Sequence, residues 1–357
     1  MAGRSVLVGI VAIGMSGIAA PPSAGVTWEF AAPLNTARQG AGAALGDDGL
    51  IYATGGAAKT AVGSPLNYFT SVEKYDPVAN IWSEGPSMNV ARWGHGVVST
   101  GGLIYAIGGM NSIGVERRME TLDVTAGTWQ PSRYALNVGR RSLGVTVDHA
   151  GRIYAIGGSD ESGVRLASVE VFDPAVNPAN PAVPPGPGWQ MLGYNLNWGR
   201  DSLGAGTDAL GRIFAVSGIA GVSLTNTVEM FDPSNPSAGW TFGPSVNQNR
   251  QAGGYATGAD GAIYILGGWT SHHYLSSVEM FDLSSNSWVM HSNMNRGTNC
   301  FGAAFDPSGR LYAVGGETIV GGSGGFALDG VERTPEPASS GFALLGLAVL
   351  TSLRRRR

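Results

Sequence analysis

An aromatic residue, two further residues and a glycine pair recur along this chain at a spacing of about 50 residues. The copies are Tyr52–Gly55–Gly56, Tyr105–Gly108–Gly109, Tyr154–Gly157–Gly158, Tyr264–Gly267–Gly268 and Tyr312–Gly315–Gly316, with a degenerate copy at Phe214 and Ser217–Gly218. Each is followed by Val-Glu-x-aromatic-Asp-Pro or a variant of it, and five of them then by a tryptophan. A repeat of this length is one supersecondary module, which buries its apolar face only by packing against its neighbours. The modules are made of strands. Val169-Glu170-Val171-Phe172-Asp173 and Val278-Glu279-Met280-Phe281-Asp282 alternate with period two. Tight-turn residues such as Asp47-Asp48-Gly49 and Asp260-Gly261 precede the apolar strand that leads into each glycine pair. The spacing therefore predicts an all-β fold of four-stranded units, a β-propeller.

The tryptophans give the number of blades. Trp82, Trp129, Trp189, Trp240 and Trp288 mark a fourth strand in five units, while the last unit runs from Val331-Glu332-Arg333 directly into the C-terminal segment. The missing strand is present at the other end, as Val26-Thr27-Trp28-Glu29-Phe30. A six-bladed propeller over residues 25–333, closed by its N-terminal strand, is the expectation, since closure removes an exposed sheet edge. Five units also open with a basic residue and a glycine four later: Arg38/Gly42, Arg92/Gly96, Arg140/Gly144, Arg200/Gly204 and Arg250/Gly254; in the last the register gives Thr298/Gly302, with Arg296 two residues earlier. Near the axis, where blades crowd, a residue without a side chain allows close approach.

The ends do not belong to the repeat. Val6 to Ile18 is an apolar run behind Arg4 and ahead of Ala19, Ala20, Ser23 and Ala24, so residues 1–24 have the parts of a secretory signal peptide. The run has 13 residues, against the roughly 20 of a spanning helix. Residues 334–357 hold Pro335-Glu336-Pro337, the apolar stretch Gly341 to Leu353, and Arg354 to Arg357. The arginines would keep the end of the chain on the cytoplasmic side. This tripartite tail resembles the PEP-CTERM sorting signal. The resemblance implies processing by an exosortase-type membrane protease, transient membrane association through the tail, and delivery to the extracellular matrix or outer cell surface of a bacterium. The whole chain carries a net charge of −4, and removing the two ends takes five arginines with them. Such a domain is poorly suited to nucleic acid, which requires a basic face. Cys300 is the only cysteine, so there is neither an intrachain disulfide nor a cysteine-based metal site.

The cassette resembles the kelch repeat, in the double glycine, the tyrosine before it and the later Tyr/Phe–Trp pair. The likeness extends over the whole of residues 25–333 and departs from the pattern at Ser217 and at Leu122-Asp123-Val124. It implies that ligands bind on the face formed by the loops after the second strand and by the connections between blades. Arg38, Arg92, Arg140, Arg200 and Arg250 lie at those connections, so they are candidates for contact with an acidic glycan or protein ligand. One glutamate per unit recurs as well: Glu73, Glu120, Glu170, Glu229, Glu279 and Glu332. The alternative is thus a structural lattice of buried pairs. Among the variable loops, Trp269-Thr270-Ser271-His272-His273-Tyr274 is the densest polar cluster, and His272, His273 and Tyr274 are further ligand-binding candidates.

No catalytic constellation stands out from the repeat, and neither a metal nor another cofactor is expected. A copper site of the galactose-oxidase kind would need two tyrosines, two histidines and a cysteine beside a ligand tyrosine; adjacent histidines on an extended segment point to opposite sides. A sialic-acid epimerase, another kelch activity, would need an acid–base pair at the channel mouth, for which His95 is a candidate. The function expected is a secreted or cell-surface binding or scaffold protein associated with extracellular polysaccharide. The alternative is a carbohydrate-active enzyme working on the same face. The insert Pro174 to Pro187, with six prolines, is a stiff surface loop.

Overall fold

The computed structural model describes residues 27–61, 64–177, 186–320 and 323–335. The signal-peptide segment, Glu336, Pro337 and the apolar, arginine-ended tail lie outside the described residues, as does the middle of the proline insert. The fold is all-β, with a single 3₁₀ turn at Pro236–Ala238 among the described residues. Also among these, no helix is long and apolar enough to cross a membrane.

Among the described residues, six antiparallel four-stranded sheets carry the structure. The first contains Gly42–Leu45, Ile51–Thr54, Val72–Asp76 and Ile81–Gly85 in that order, and the second to fifth repeat the plan. The sixth is built from both ends of the chain. Gly302–Phe305, Leu311–Val314 and Val331–Arg333 are joined by Glu29–Phe30 as the outer strand, with Glu29 opposite Arg333 and Phe30 opposite Glu332. The N-terminal strand thus sits where the tryptophan count puts it. Trp28 is buried against Met294, Leu311 and Ala313, and its indole N–H donates to the Ser292 carbonyl at 2.9 Å.

The first strands of consecutive sheets contact one another in a closed cycle, the sixth returning to the first. Two rings of backbone hydrogen bonds follow that cycle. In the inner ring Gly94 N–H donates to Gly40 C=O at 2.9 Å, Ser142 to Gly94 at 2.7 Å, Ser202 to Ser142 at 2.8 Å, Ala252 to Ser202 at 2.9 Å, Cys300 to Ala252 at 2.7 Å, and Gly40 to Cys300 at 2.6 Å. All six residues have positive φ, from 51° to 64°, a conformation that non-glycine residues rarely adopt. Closure of the ring holds Ser142, Ser202, Ala252 and Cys300 there. In the second ring, the second residue of each glycine pair donates to the carbonyl that opens the next unit, as in Gly56 to Arg92 at 2.7 Å and Gly316 to Arg38 at 2.8 Å. Satisfying these buried backbone groups between sheets is what makes the glycine pair recur.

The glycine four residues after each opening position has a specific neighbour. A Cβ on Gly42, Gly96 or Gly204 would lie 2.1, 1.9 or 1.8 Å from an atom of Val97, Val145 or Tyr255 in the next unit. In four of the sheets the outer tryptophan packs on the aromatic of the neighbouring third strand, with ring centroids 5.0 Å apart for Tyr75–Trp82, 5.3 Å for Phe172–Trp189, and 5.5 Å for Phe231–Trp240 and Phe281–Trp288. The tryptophans are therefore packing residues. The departures from the pattern do not disturb the sheets: Leu122 pairs with Trp129 in register, and Ser217 follows the regular strand Ile213–Val216.

The channel mouth as a candidate binding face

The five repeat arginines are not available to a ligand, and this corrects their assignment as candidate binding residues. Arg38, Arg92, Arg140, Arg200 and Arg250 are each fully buried. Nη2 of each meets Oε1 of Glu73, Glu120, Glu170, Glu229 or Glu279, at 2.7, 3.1, 2.7, 2.6 and 2.5 Å. Nη1 donates to two backbone carbonyls, Gly55 and Ser71 in the case of Arg38, Gly157 and Ser168 in the case of Arg140. Burial lowers the pKa of each guanidinium, and the paired glutamate opposes that shift. A fully buried guanidinium with both Nη groups engaged inside the protein is out of reach of an acidic ligand.

A further residue completes this lattice. An asparagine stands three positions before each opening residue, and in units two to five its backbone N–H and side-chain amide both donate to the same glutamate. For Asn137 and Glu170 these distances are 2.7 and 2.9 Å, and the amide also reaches the Trp189 carbonyl at 2.9 Å. Sequence reasoning did not identify it, although Asn35, Asn89, Asn137, Asn197, Asn247 and Asn295 recur as regularly as the arginines.

What faces the loop side is the residue after each opening position, bridged to the residue after the glycine pair, as in Arg141 to Ser159 and Gln251 to Trp269. These residues differ from unit to unit. Between units three and four, Arg165 Nε lies 3.2 Å from Asp201 Oδ2, and Arg141 acts on the same carboxylate. Burial pushes the Asp201 carboxyl up, and the two arginines oppose it. Between units five and six, the Tyr274 hydroxyl donates to Glu317 Oε1 at 2.6 Å, and burial together with this carboxylate pushes the phenol pKa up.

His272 and His273 do not join that pair. Both are exposed, and their backbone N–H groups donate to Thr270 Oγ1 at 3.3 and 3.2 Å, a local turn. They line instead a cleft of about 560 Å³ between the loops of units four and five, together with Asn226, Gln248, Asn249 and Thr270. Tyr274 and the two histidines thus face different neighbours. Among the described residues there is no cluster of three or more His, Cys, Asp or Glu placed to hold a metal ion.

Below the mouth the first strands enclose an axial cavity of about 190 Å³ lined from all six units. His95 borders it, with Nε2 2.9 Å from Thr54 Oγ1. Burial, reinforced by Arg92, holds its pKa down to about 3, so His95 is a neutral bridge between two sheets across the physiological range. Cys300 belongs to the inner backbone ring rather than to a strand, and burial, then Glu317, pushes its thiol up to about 12.

The comparisons with known proteins agree with this architecture. The kelch motif is matched at residues 42–89, 91–132, 140–177 and 256–295. Mouse Kelch-like protein 35 is 33% identical over 98 residues, 27% of this chain and 16% of its own length. Human Kelch-like protein 6 is 33% identical over 87 residues, 24% of this chain and 14% of its own length. The matches thus span about a sixth of those relatives. The solved structure titled "Structure of YjhT" superposes with a TM-score of 0.64 at 15% identity, covering 85% of this chain and 96% of that one, a likeness of fold alone. Four units match the kelch motif and the two others build the same hydrogen-bonded sheet, so the chain is all-β and carries kelch motifs.

Proposed function

We propose that this protein is a secreted six-bladed kelch propeller that acts as a non-catalytic binding scaffold at the bacterial surface or in its matrix. Its ligand is a hydroxyl-rich glycan, taken up on the mouth face. The observation that carries this reading is the polar cleft between the loops of units four and five, where exposed Asn249, His272 and His273 stand beside Gln248 and Thr270. Amide and imidazole groups both donate and accept, which suits sugar hydroxyls. A carboxylated glycan has less to gain here, because the repeat arginines are internal and Arg165 is engaged by Asp201. Sorting through Pro335-Glu336-Pro337 and the tail by an exosortase-type protease completes the proposal. The motif itself supports it, with intact-mass measurement of released protein as the test: loss of Arg354 to Arg357 is expected.

A glycan array with the full-length protein and its Asn249→Ala/His272→Ala/His273→Ala variant tests the ligand. Binding to neutral polysaccharide that the variant loses is expected; equal binding by both would overturn the assignment of the cleft. The catalytic alternative rests on one contact, Tyr274 to Glu317. Conversion of a free sugar by the wild type, abolished in Tyr274→Phe, would favour it over the scaffold.

A further inference from the structure

Unit four exposes two aromatic rings at positions that the repeat leaves free. In each unit one residue of the outer strand lies opposite the repeat glutamate, and another stands two positions before the opening residue. In unit four these are Phe242, opposite Glu229, and Trp198. The same two positions hold Glu84 and Thr36 in unit one, Met290 and Gln248 in unit five, and Phe30 and Arg296 in unit six. The lattice thus makes no demand on them for an aromatic pair. The rings of Trp198 and Phe242 meet with centroids 5.3 Å apart and planes inclined at 58°. Even so, Trp198 is 49% exposed and Phe242 51%. The other eight tryptophans are all buried or half-buried.

A half-open indole brings a large apolar face and a polar N–H to the surface, the make-up of a contact residue. Its surroundings select the partner. Residues 190–199 and 240–249, which carry the two rings, contain no Asp, Glu, Lys or Arg. The carboxylate opposite Phe242, that of Glu229, is fully buried and held by Arg200 and Asn197. The exposed residues beside the rings in sequence include Asn195, Thr241 and Ser245. Two rings are also far less than the roughly 20–30 residues a side of a stable protein interface. A neutral sugar suits these features. The C–H groups on one face of a pyranose are weakly positive and meet the negative face of an aromatic ring, while its hydroxyls meet amides and hydroxyls. The rings also adjoin the polar cleft. Asn247, Gln248 and Asn249 line that cleft, and Asn247 follows Phe242 by five residues, a span of at most about 18 Å.

We propose that Trp198 and Phe242 form a stacking platform for a neutral pyranose ring, extending the glycan path from the cleft onto the outer edge of the fourth sheet. The inference rests on the reading of the ligand as a neutral glycan, and its test separates the two. The probes are cellohexaose, xylohexaose and mannohexaose, uncharged and long enough to reach from the cleft to the platform. Each is titrated into the full-length protein, with calorimetry and tryptophan fluorescence as readouts. At least one is expected to bind the wild type with a saturable fluorescence change. Trp198→Ala and Phe242→Ala should each weaken that binding by about tenfold. Trp198→Phe, which keeps a ring, should hold the affinity within about threefold and lose most of the fluorescence change. Binding that the cleft variant Asn249→Ala/His272→Ala/His273→Ala loses but both alanine ring variants retain would overturn the platform and leave the cleft standing. No binding of any probe would overturn both. A dimer of the wild type that Trp198→Ala disperses would assign the rings to a second copy of the chain and overturn the proposal as well.

Discussion

Five units of this protein carry a buried Arg–Glu–Asn lattice, and the sixth, assembled from the two ends of the chain, keeps the glutamate and asparagine but has threonine in place of arginine. The difference separates two functions of the lattice. Closing the cycle of sheets does not require the guanidinium, because both backbone rings run through the sixth unit unchanged: Cys300 donates to Ala252, and Gly268 to Thr298. What the guanidinium does is tie the third strand, the glycine pair and the opening segment of one unit together. In the sixth unit the outer pairing, common to all six sheets, is made between the two ends, Glu29–Phe30 against Val331–Arg333, with Arg333 3.6 Å from Glu29 and 3.3 Å from the Tyr75 hydroxyl of the first unit.

The largest test of this comparison removes the guanidinium where it exists. Arg140→Ala leaves the Glu170 carboxylate buried without its cation and takes a donor from the Gly157 and Ser168 carbonyls, so a loss of about 3–5 kcal/mol in urea denaturation is expected. Thr298→Ala, at the equivalent position, costs about 1 kcal/mol. Similar losses at the two positions would mean that the lattice is not what distinguishes the units.

Crowding at the axis gives the next effect. A Cβ on Gly204 would fall 1.8 Å from the Tyr255 ring, whereas at the seam a Cβ on Gly302 would fall 2.7 Å from the Cβ of Ala43. Gly204→Ala should destabilise by about 1–3 kcal/mol, since a ring in a packed layer has little room to move. Gly302→Ala should cost less. Midpoints in the reverse order would show that the seam, not the repeat interior, is the tightest part of the cycle.

How much of this was legible in the sequence follows from where the information is stored. Arg140, Gly144 and Trp189 are legible because each contributes through its own side chain, or the lack of one, and recurs at one register. The pairing of Trp28 with the sixth unit was legible by the same logic. The inner ring was not: Gly40, Gly94, Ser142, Ser202, Ala252 and Cys300 share a backbone conformation and a hydrogen bond but no side-chain chemistry. The site was the least legible part. Arginines at blade connections look alike whether they face a ligand or a glutamate, and only burial distinguishes the cases. Tyr274 and His273 are neighbours in sequence, yet one turns to Glu317 and the other to the cleft.

The contrast between the units extends to pH. The folded pKa of Glu332 is raised, chiefly by burial. In the window between the ordinary carboxylate pKa and this raised value, the folded state binds more protons than the unfolded state. Stability contributed by the protonated group is therefore full at low pH and declines as pH rises through that window. Glu332→Gln removes the titration, so its melting temperature should fall less than that of the wild type between pH 4 and 7. An identical fall in both proteins would locate the pH dependence elsewhere.

The smallest effect concerns Ser217, the one serine in a glycine-pair position. Its φ is 58°, its hydroxyl is buried, and no hydrogen-bond partner for it occurs among the described residues. The strain is also visible in the lattice. Arg200 Nη1 reaches the Ser217 carbonyl at 3.3 Å, against 2.8 Å for Arg38 to Gly55 and 2.7 Å for Arg92 to Gly108. Ser217→Gly relieves a left-handed non-glycine residue and an unsatisfied hydroxyl, while adding freedom to the unfolded chain. The first two effects outweigh the third, so a gain of about 1 kcal/mol is expected. The reverse change makes the comparison strict. A Cβ on Gly157 would stand 2.6 Å from the Arg200 carbonyl, so Gly157→Ser should be destabilising. If Ser217→Gly instead lowers the midpoint, the fourth unit has adapted to its serine, and the glycine pair is a preference of the repeat rather than a requirement of each unit.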